Sequence, residues 1–169
     1  GGGAFASTLI GCAVGSNAAG RSGGGVYTPP LTSCLVENNV AGTSGGGAYT
    51  PVSVSNCVVR GNRAAVAGGG IYQGVAYDTL IQSNRVTGAT GDGGGFYGNA
   101  VSHRLVRCTV EANETVRNGG GVYYAVLSNC VVRANVASGA SGAGGGVYAG
   151  GPTYIVSCCH VLDNVAVYR

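Results

Sequence analysis

The chain of 169 residues has no Met, no Trp and no Lys, only 4 Pro, and charged side chains at just 9% of its positions. Little charge together with 45% hydrophobic residues excludes an ordinary disordered linker, which stays unfolded because it is charged and poor in apolar groups. The scarcity of Pro and the lack of a Gly-X-Y period exclude collagen, although 34 residues are Gly. No run approaches the ~18 consecutive apolar residues of a membrane-spanning helix. All nine basic residues are Arg, scattered among six acids, so there is no basic stripe to hold a nucleic acid. Leu9-Ile10-Gly11-Cys12 has the form of a lipoprotein cleavage site. It lacks a basic segment ahead of it, and Cys12 falls on a repeat position. The length fits one domain.

What the chain has is repetition. Gly triplets begin at 1, 23, 45, 68, 93, 119 and 144, and each is followed by an apolar residue and then an aromatic one: Phe5, Tyr27, Tyr49, Tyr72, Tyr97, Tyr123 and Tyr148. Between the triplets runs a second motif, Cys-x-Val-x-x-Asn. Its Cys stands at Cys12, Cys34, Cys57, Cys108, Cys130 and Cys159, with Thr79 in its place once. Its Asn is present every time, at Asn17, Asn39, Asn62, Asn84, Asn113, Asn135 and Asn164, at spacings of 22, 23, 22, 29, 22 and 29 residues. A period of this length marks a solenoid, propeller or array.

Helical repeats are excluded by the Gly load, since each interior Gly costs about 1 kcal/mol relative to Ala, and the leucine-rich register is absent. Runs such as Cys57-Val58-Val59-Arg60 alternate with period two and are broken by Gly and Asn, which reads as short strands joined by turns. Stacked in register at the ~4.8 Å spacing of neighbouring strands, such coils form an all-β parallel β-helix of about seven coils, a rod of roughly 30–35 Å. The Asn column is expected at a corner, where Asn tolerates left-handed dihedrals and bonds to its own copies along the axis. The Gly triplets mark a corner that excludes a Cβ through its dihedrals or its packing.

The pairing of GGGVY with SNCVVRGN or SNCVVRAN resembles the right-handed parallel β-helix repeats of large bacterial surface proteins. These include autotransporter-type passengers and polymorphic outer-membrane proteins, and the fold is shared with pectate-lyase-like enzymes. The resemblance covers essentially the whole chain and implies the fold. It does not fix a function, because the fold hosts enzymes, adhesins and stalks.

Alternation places the Cys and the Val two residues after it inward. The residue between them then points outward as a column that includes Leu35, Val58, Leu80 and Val131. An apolar stripe on a lateral face suggests an assembly surface, although β-branched residues also simply suit strands. The aromatic column reads either way: outside as stacked rings able to bind sugars or pack laterally, or inside as core filler. The outward placement is favoured because Tyr hydroxyls seek water or a partner. The Cys column behaves as buried small hydrophobes, adjacent coils lie within disulfide range, and Cys158 falls outside the column.

Six dispersed acids offer neither a calcium cluster nor grouped catalytic carboxylates. His103 and His160 lie in different coils without a nucleophile at a motif spacing. The expectation is therefore no enzyme, no catalytic residue, no metal and no cofactor. The remaining irregularity is in loop length. Insertions at 85–92 and 98–107, and again at 136–143 and 149–158, flank the GGG-x-Tyr strands of the fifth and seventh coils. On solenoids such insertions often cluster on a binding face, which makes Tyr97, Asn99, His103, Arg104, Tyr148 and Tyr154 candidate ligand contacts. Both ends read as uncapped, expected of a segment of a longer chain or of a unit that stacks into a fibre. The expected role is an extracellular or cell-surface rod for assembly or adhesion, partnered by its own kind or by the rest of a surface protein. A glycan-binding module is the first alternative, and a polysaccharide lyase- or hydrolase-like fragment the second.

Overall fold

In the computed structural model, residues 1–167 are described. Every element among them is a strand of two or three residues. The strands form four parallel seven-stranded sheets, so six full turns separate the first strand of a sheet from its last. In the third coil the four strands are Ala48–Tyr49 in sheet A, Val54–Ser55 in sheet B, Val58–Arg60 in sheet C and Arg63–Ala64 in sheet D. Each pairs in register with its counterparts in the coils before and after.

Corners this sharp need left-handed residues, and they fall at fixed places. In the third coil they are Gly45, Thr50, Asn56 and Gly61, with φ of 66°, 43°, 52° and 62°. The column preceding the ladder Asn is left-handed throughout: Ser16, Asn38, Gly61, Ser83, Ala112, Ala134 and Asp163. The ladder Asn itself never has a positive φ. The expectation that Asn is chosen for left-handed dihedrals is therefore wrong. Its neighbour makes the turn, and the Asn is held by its amide.

The three glycines of a triplet serve two purposes. Gly45 supplies the positive φ. A Cβ on Gly46 would lie 2.3 Å from the Gly69 carbonyl oxygen and 2.6 Å from the Arg63 carbonyl, and a Cβ on Gly47 would lie 2.7 Å from the Gly70 oxygen and 3.0 Å from Asn62 Nδ2. Backbone thus touches backbone across the coil, and the rod is pinched. On one side lies the main core, built from inward columns of sheets A, B and C such as Val26, Leu31, Cys34 and Val36. On the other lies a small second core of Ala41, Ala64 and Val86.

Candidate functional site: ladders and outer faces

The Asn column runs through the interior. Asn39, Asn62, Asn84, Asn113 and Asn135 are at most 1% exposed. Asn62 Nδ2 donates to Asn84 Oδ1 at 3.0 Å and to the Val36 carbonyl of the preceding coil at 2.9 Å, while the Asn62 backbone N–H donates to the same Asn84 Oδ1 at 3.0 Å. This pattern repeats from Asn17 to Asn164. A buried amide is stable only when fully bonded, and among the described residues no buried side-chain N or O lacks a partner.

The thiols form a second inner column, all free. Cys57 Sγ donates to the Ser55 carbonyl two residues back and accepts from the Cys34 N–H. Thr79 fits because its hydroxyl does the same work, donating to the Tyr77 carbonyl at 2.7 Å and accepting from the Cys57 N–H. Burial pushes the Cys57 thiol above its ordinary range. The hydrogen bond to Cys130, and then burial, does the same to Cys108. Cys57 and Cys108 thus hold their protons, whereas the same bond lowers the pKa of their column neighbour Cys130 to about 6. Cys158 sits exposed at a left-handed corner.

Of the two orientations open to the aromatic column, the outer one is observed. Val26, Ala48, Ile71, Phe96 and Val122 face inward and fully buried, and the rings outside stack on one another. Centroids from Phe5 to Tyr123 are 4.9–5.3 Å apart, as is the Tyr123–Tyr148 pair at 5.3 Å. Because each ring covers the face of the next, stacking of a sugar on these rings has no free face to use along the column. Only edges and hydroxyl groups point outward. Burial, first among the causes, raises the pKa of Tyr72, Tyr97 and Tyr123.

The six residues proposed as ligand contacts gather only in pairs, Asn99 with His103 and Tyr148 with Tyr154 through Tyr124, and their contacts are spent on one another and on the neighbouring coil. The Gly74 N–H donates to His103 Nδ1 at 3.1 Å, which leaves Nε2 to donate to Asn99 Oδ1 at 3.0 Å. Burial holds the imidazole below its usual pKa. That pair anchors its insertion to the coil before it. Tyr154 stacks on Tyr124 at 5.0 Å, and a Cβ on Gly150 would lie 1.9 Å from the Tyr124 hydroxyl, so the 149–155 loop is likewise wrapped on the preceding coil. Tyr97 and Tyr148 belong to the ring column, two rungs apart. Arg104 lies exposed in sheet B, beside Val75 and Val126. Two concave sites of about 400 and 420 Å³, lined around Leu9 and Cys12 and around Phe5 and Arg21, include none of the six.

Two features escaped the sequence reading. Tyr124, left-handed at φ 47°, is the hub of the aromatic cluster formed with Tyr123, Tyr148 and Tyr154; its signal was an aromatic doubled after the usual one. Asp92, only 4% exposed, is bonded by Arg117 and by the Asn118 N–H, and nothing in the repeat period marks it.

Sheet C presents the most regular outer face. Its first outward column, Ala13, Leu35, Val58, Leu80, Thr109, Val131 and His160, pairs rung on rung. The second carries Glu37, Arg60, Gln82, Glu111 and Arg133. Arg60 is 2.7 Å from Glu37, Arg133 is 2.6 Å from Glu111, and Gln82 donates to Glu111. Asp78 is bonded by Arg107 at the neighbouring corner, which holds its carboxyl below the usual range. Among the described residues no group of three His, Cys, Asp or Glu is placed to hold a metal.

The family model described as right handed beta helix region matches residues 2–161. No curated protein and no solved structure matches the chain.

Proposed function

The chain belongs to the right-handed β-helix family, and from that premise we propose that it is a structural rod of a secreted or cell-surface protein, non-catalytic, whose outer faces serve assembly or adhesion. The observation that carries this reading is the sheet C face. A column of mostly buried aliphatic side chains at Leu35, Val58, Leu80 and Val131, interrupted once by Thr109, runs beside a column whose charges neutralise one another along the axis. Fully burying an aliphatic side chain is worth about 1.5–3 kcal/mol. Each is mostly buried already, so burying the rest contributes at most about a third of that, before ordering costs are subtracted.

The partner is a second rod or another part of a larger surface protein. The experiment is a concentration series of the chain and of Val58→Lys/Val131→Lys by sedimentation velocity. Association that the double variant loses, with the β-sheet spectrum unchanged, supports the reading; identical behaviour of the two removes it. The glycan-binding alternative would use the outward edges and hydroxyl groups of the Tyr column beside the fifth- and seventh-coil insertions. It requires saturable binding of an oligosaccharide that is lost on changing Tyr97 or Tyr148.

A further inference from the structure

We infer that the assembly face is a two-fold, antiparallel contact between two copies of this chain through sheet C, centred on the fourth rung at Leu80 and Gln82. This deepens the assembly reading and rests on it.

Two flat faces can meet by a two-fold axis in two ways. An axis along the rod reverses the strand direction and keeps the rungs level. That sets the aliphatic column of one copy against the charged column of the other. An axis along the strands keeps the columns matched and reverses the order of rungs, so rung two meets rung six and rung three meets rung five. Only the second sets both columns of one copy against the same columns of the other. Leu35 then meets the partner's Val131, Leu80 meets its own copy, and Val58 lies against the partner's Thr109.

The charged column reads, from rung two to rung six, Glu37, Arg60, Gln82, Glu111, Arg133. Reversed, it sets Glu37 against the partner's Arg133 and Arg60 against the partner's Glu111, with Gln82 on the axis. Each copy already pairs Glu37 with Arg60 and Glu111 with Arg133. The contact therefore closes two four-membered rings of alternating sign, and no like charges face each other. Such complementarity selects register and orientation more than it adds affinity.

Sheet C is three residues wide and seven strands tall, about 10 by 30 Å from strand dimensions. One pair thus buries on the order of 600 Å² in total, below the ~1,200 Å² of a standard stable interface. The contact is therefore weak and concentration-dependent, and it strengthens with every further coil that joins it.

The test exchanges charge in half of the column while keeping each pair within its own chain. In Glu111→Arg/Arg133→Glu the internal pair survives with its sign reversed, but two such copies set the Glu37 carboxylate against a second carboxylate and the Arg60 guanidinium against a second guanidinium. Glu37→Arg/Arg60→Glu has the same defect, whereas a mixture of the two variants is fully complementary. Sedimentation velocity at up to about 1 mM is expected to show dimer for the parent chain. Each variant alone should dimerise at least about ten-fold more weakly, and the equimolar mixture should recover the parent's affinity. Thermal unfolding should be unchanged in Glu37→Arg/Arg60→Glu and only slightly lowered in Glu111→Arg/Arg133→Glu, which gives up the Gln82–Glu111 bond. If the parent dimerises and the variants do so equally well, the antiparallel sheet C register is wrong while assembly stands. If recovery fails in the mixture, the register is again wrong. A parent chain that stays monomeric at about 1 mM overturns both this contact and self-assembly, and leaves another part of a larger surface protein as the partner.

Discussion

Replacing Asn84 with Ala tests whether the amide column holds the coils together. The side chain is 1% exposed. Its Oδ1 accepts from the Asn62 N–H and from Asn62 Nδ2, and its Nδ2 donates to the Val59 carbonyl and to Asn113 Oδ1, all at 2.9–3.0 Å. Truncation leaves the buried Asn62 N–H without a partner, which costs about 1–3 kcal/mol, and removes three further bonds worth roughly 0.5–1.5 kcal/mol each. The sum is about 2.5–7.5 kcal/mol, and relaxation brings it toward the lower end. Asn17→Ala is the internal control. Asn17 Nδ2 gives up one bond to Asn39 Oδ1, an atom that still accepts from the Asn17 N–H, so the cost should be under about 1 kcal/mol. Urea unfolding followed by circular dichroism should therefore show a large fall in midpoint for Asn84→Ala and a small one for Asn17→Ala. Hydrogen exchange should show lost protection at the Asn62 amide. Equal, small effects for the two variants would refute the reasoning.

Other outcomes follow from the same geometry. Gly69→Ala drives a Cβ to 2.5 Å from the Gly94 oxygen and 2.7 Å from the Arg85 backbone, a clash between main chains that should cost more than about 3 kcal/mol or prevent folding. Gly20→Ala meets nothing within 4 Å and should be near neutral by the same unfolding assay. Thr79→Cys should be tolerated, because it restores the column. Thr79→Val strands the Tyr77 carbonyl contact and the Cys57 N–H and should cost about 1–3 kcal/mol. Arg107 depresses the Asp78 pKa, so this pair's contribution is whole above the ordinary carboxyl value of ~3.9 and fades as pH falls through the depressed value. In Arg107→Ala, the Asp78 carboxyl followed by NMR should titrate at a higher pH than in the parent chain.

The fold was legible because a solenoid writes its packing as columns. Each Asn, Cys and Gly triplet occupies one register, and stacking copies is what satisfies the amides. Sheets B and D were not read, although their columns exist. Leu9, Leu31, Val54, Ala76, Leu105, Leu127 and Val156 stand three residues before each Cys position and form the inward side of sheet B. Their strands are two or three residues long, and the preceding loop varies in length, so no alternation announces them. The reason for the ladder Asn was misread because propensity links Asn to left-handed turns, while here tertiary hydrogen bonding decides. The ligand residues were chosen from insertions, which carry no period. The structure spends those side chains on anchoring loops, as with His103 on Gly74 and Tyr154 on Tyr124.

The central claim, a rod that associates through its side, is tested most directly by small-angle X-ray scattering over a concentration series to about 1 mM. Side-by-side pairing of flat faces at the ~10 Å separation of packed sheets predicts a cross-section that grows with concentration while the length stays that of one rod, and Val58→Lys/Val131→Lys keeps the cross-section of a single rod throughout. Scattering that remains that of one rod at every concentration, or that grows only in length, contradicts it.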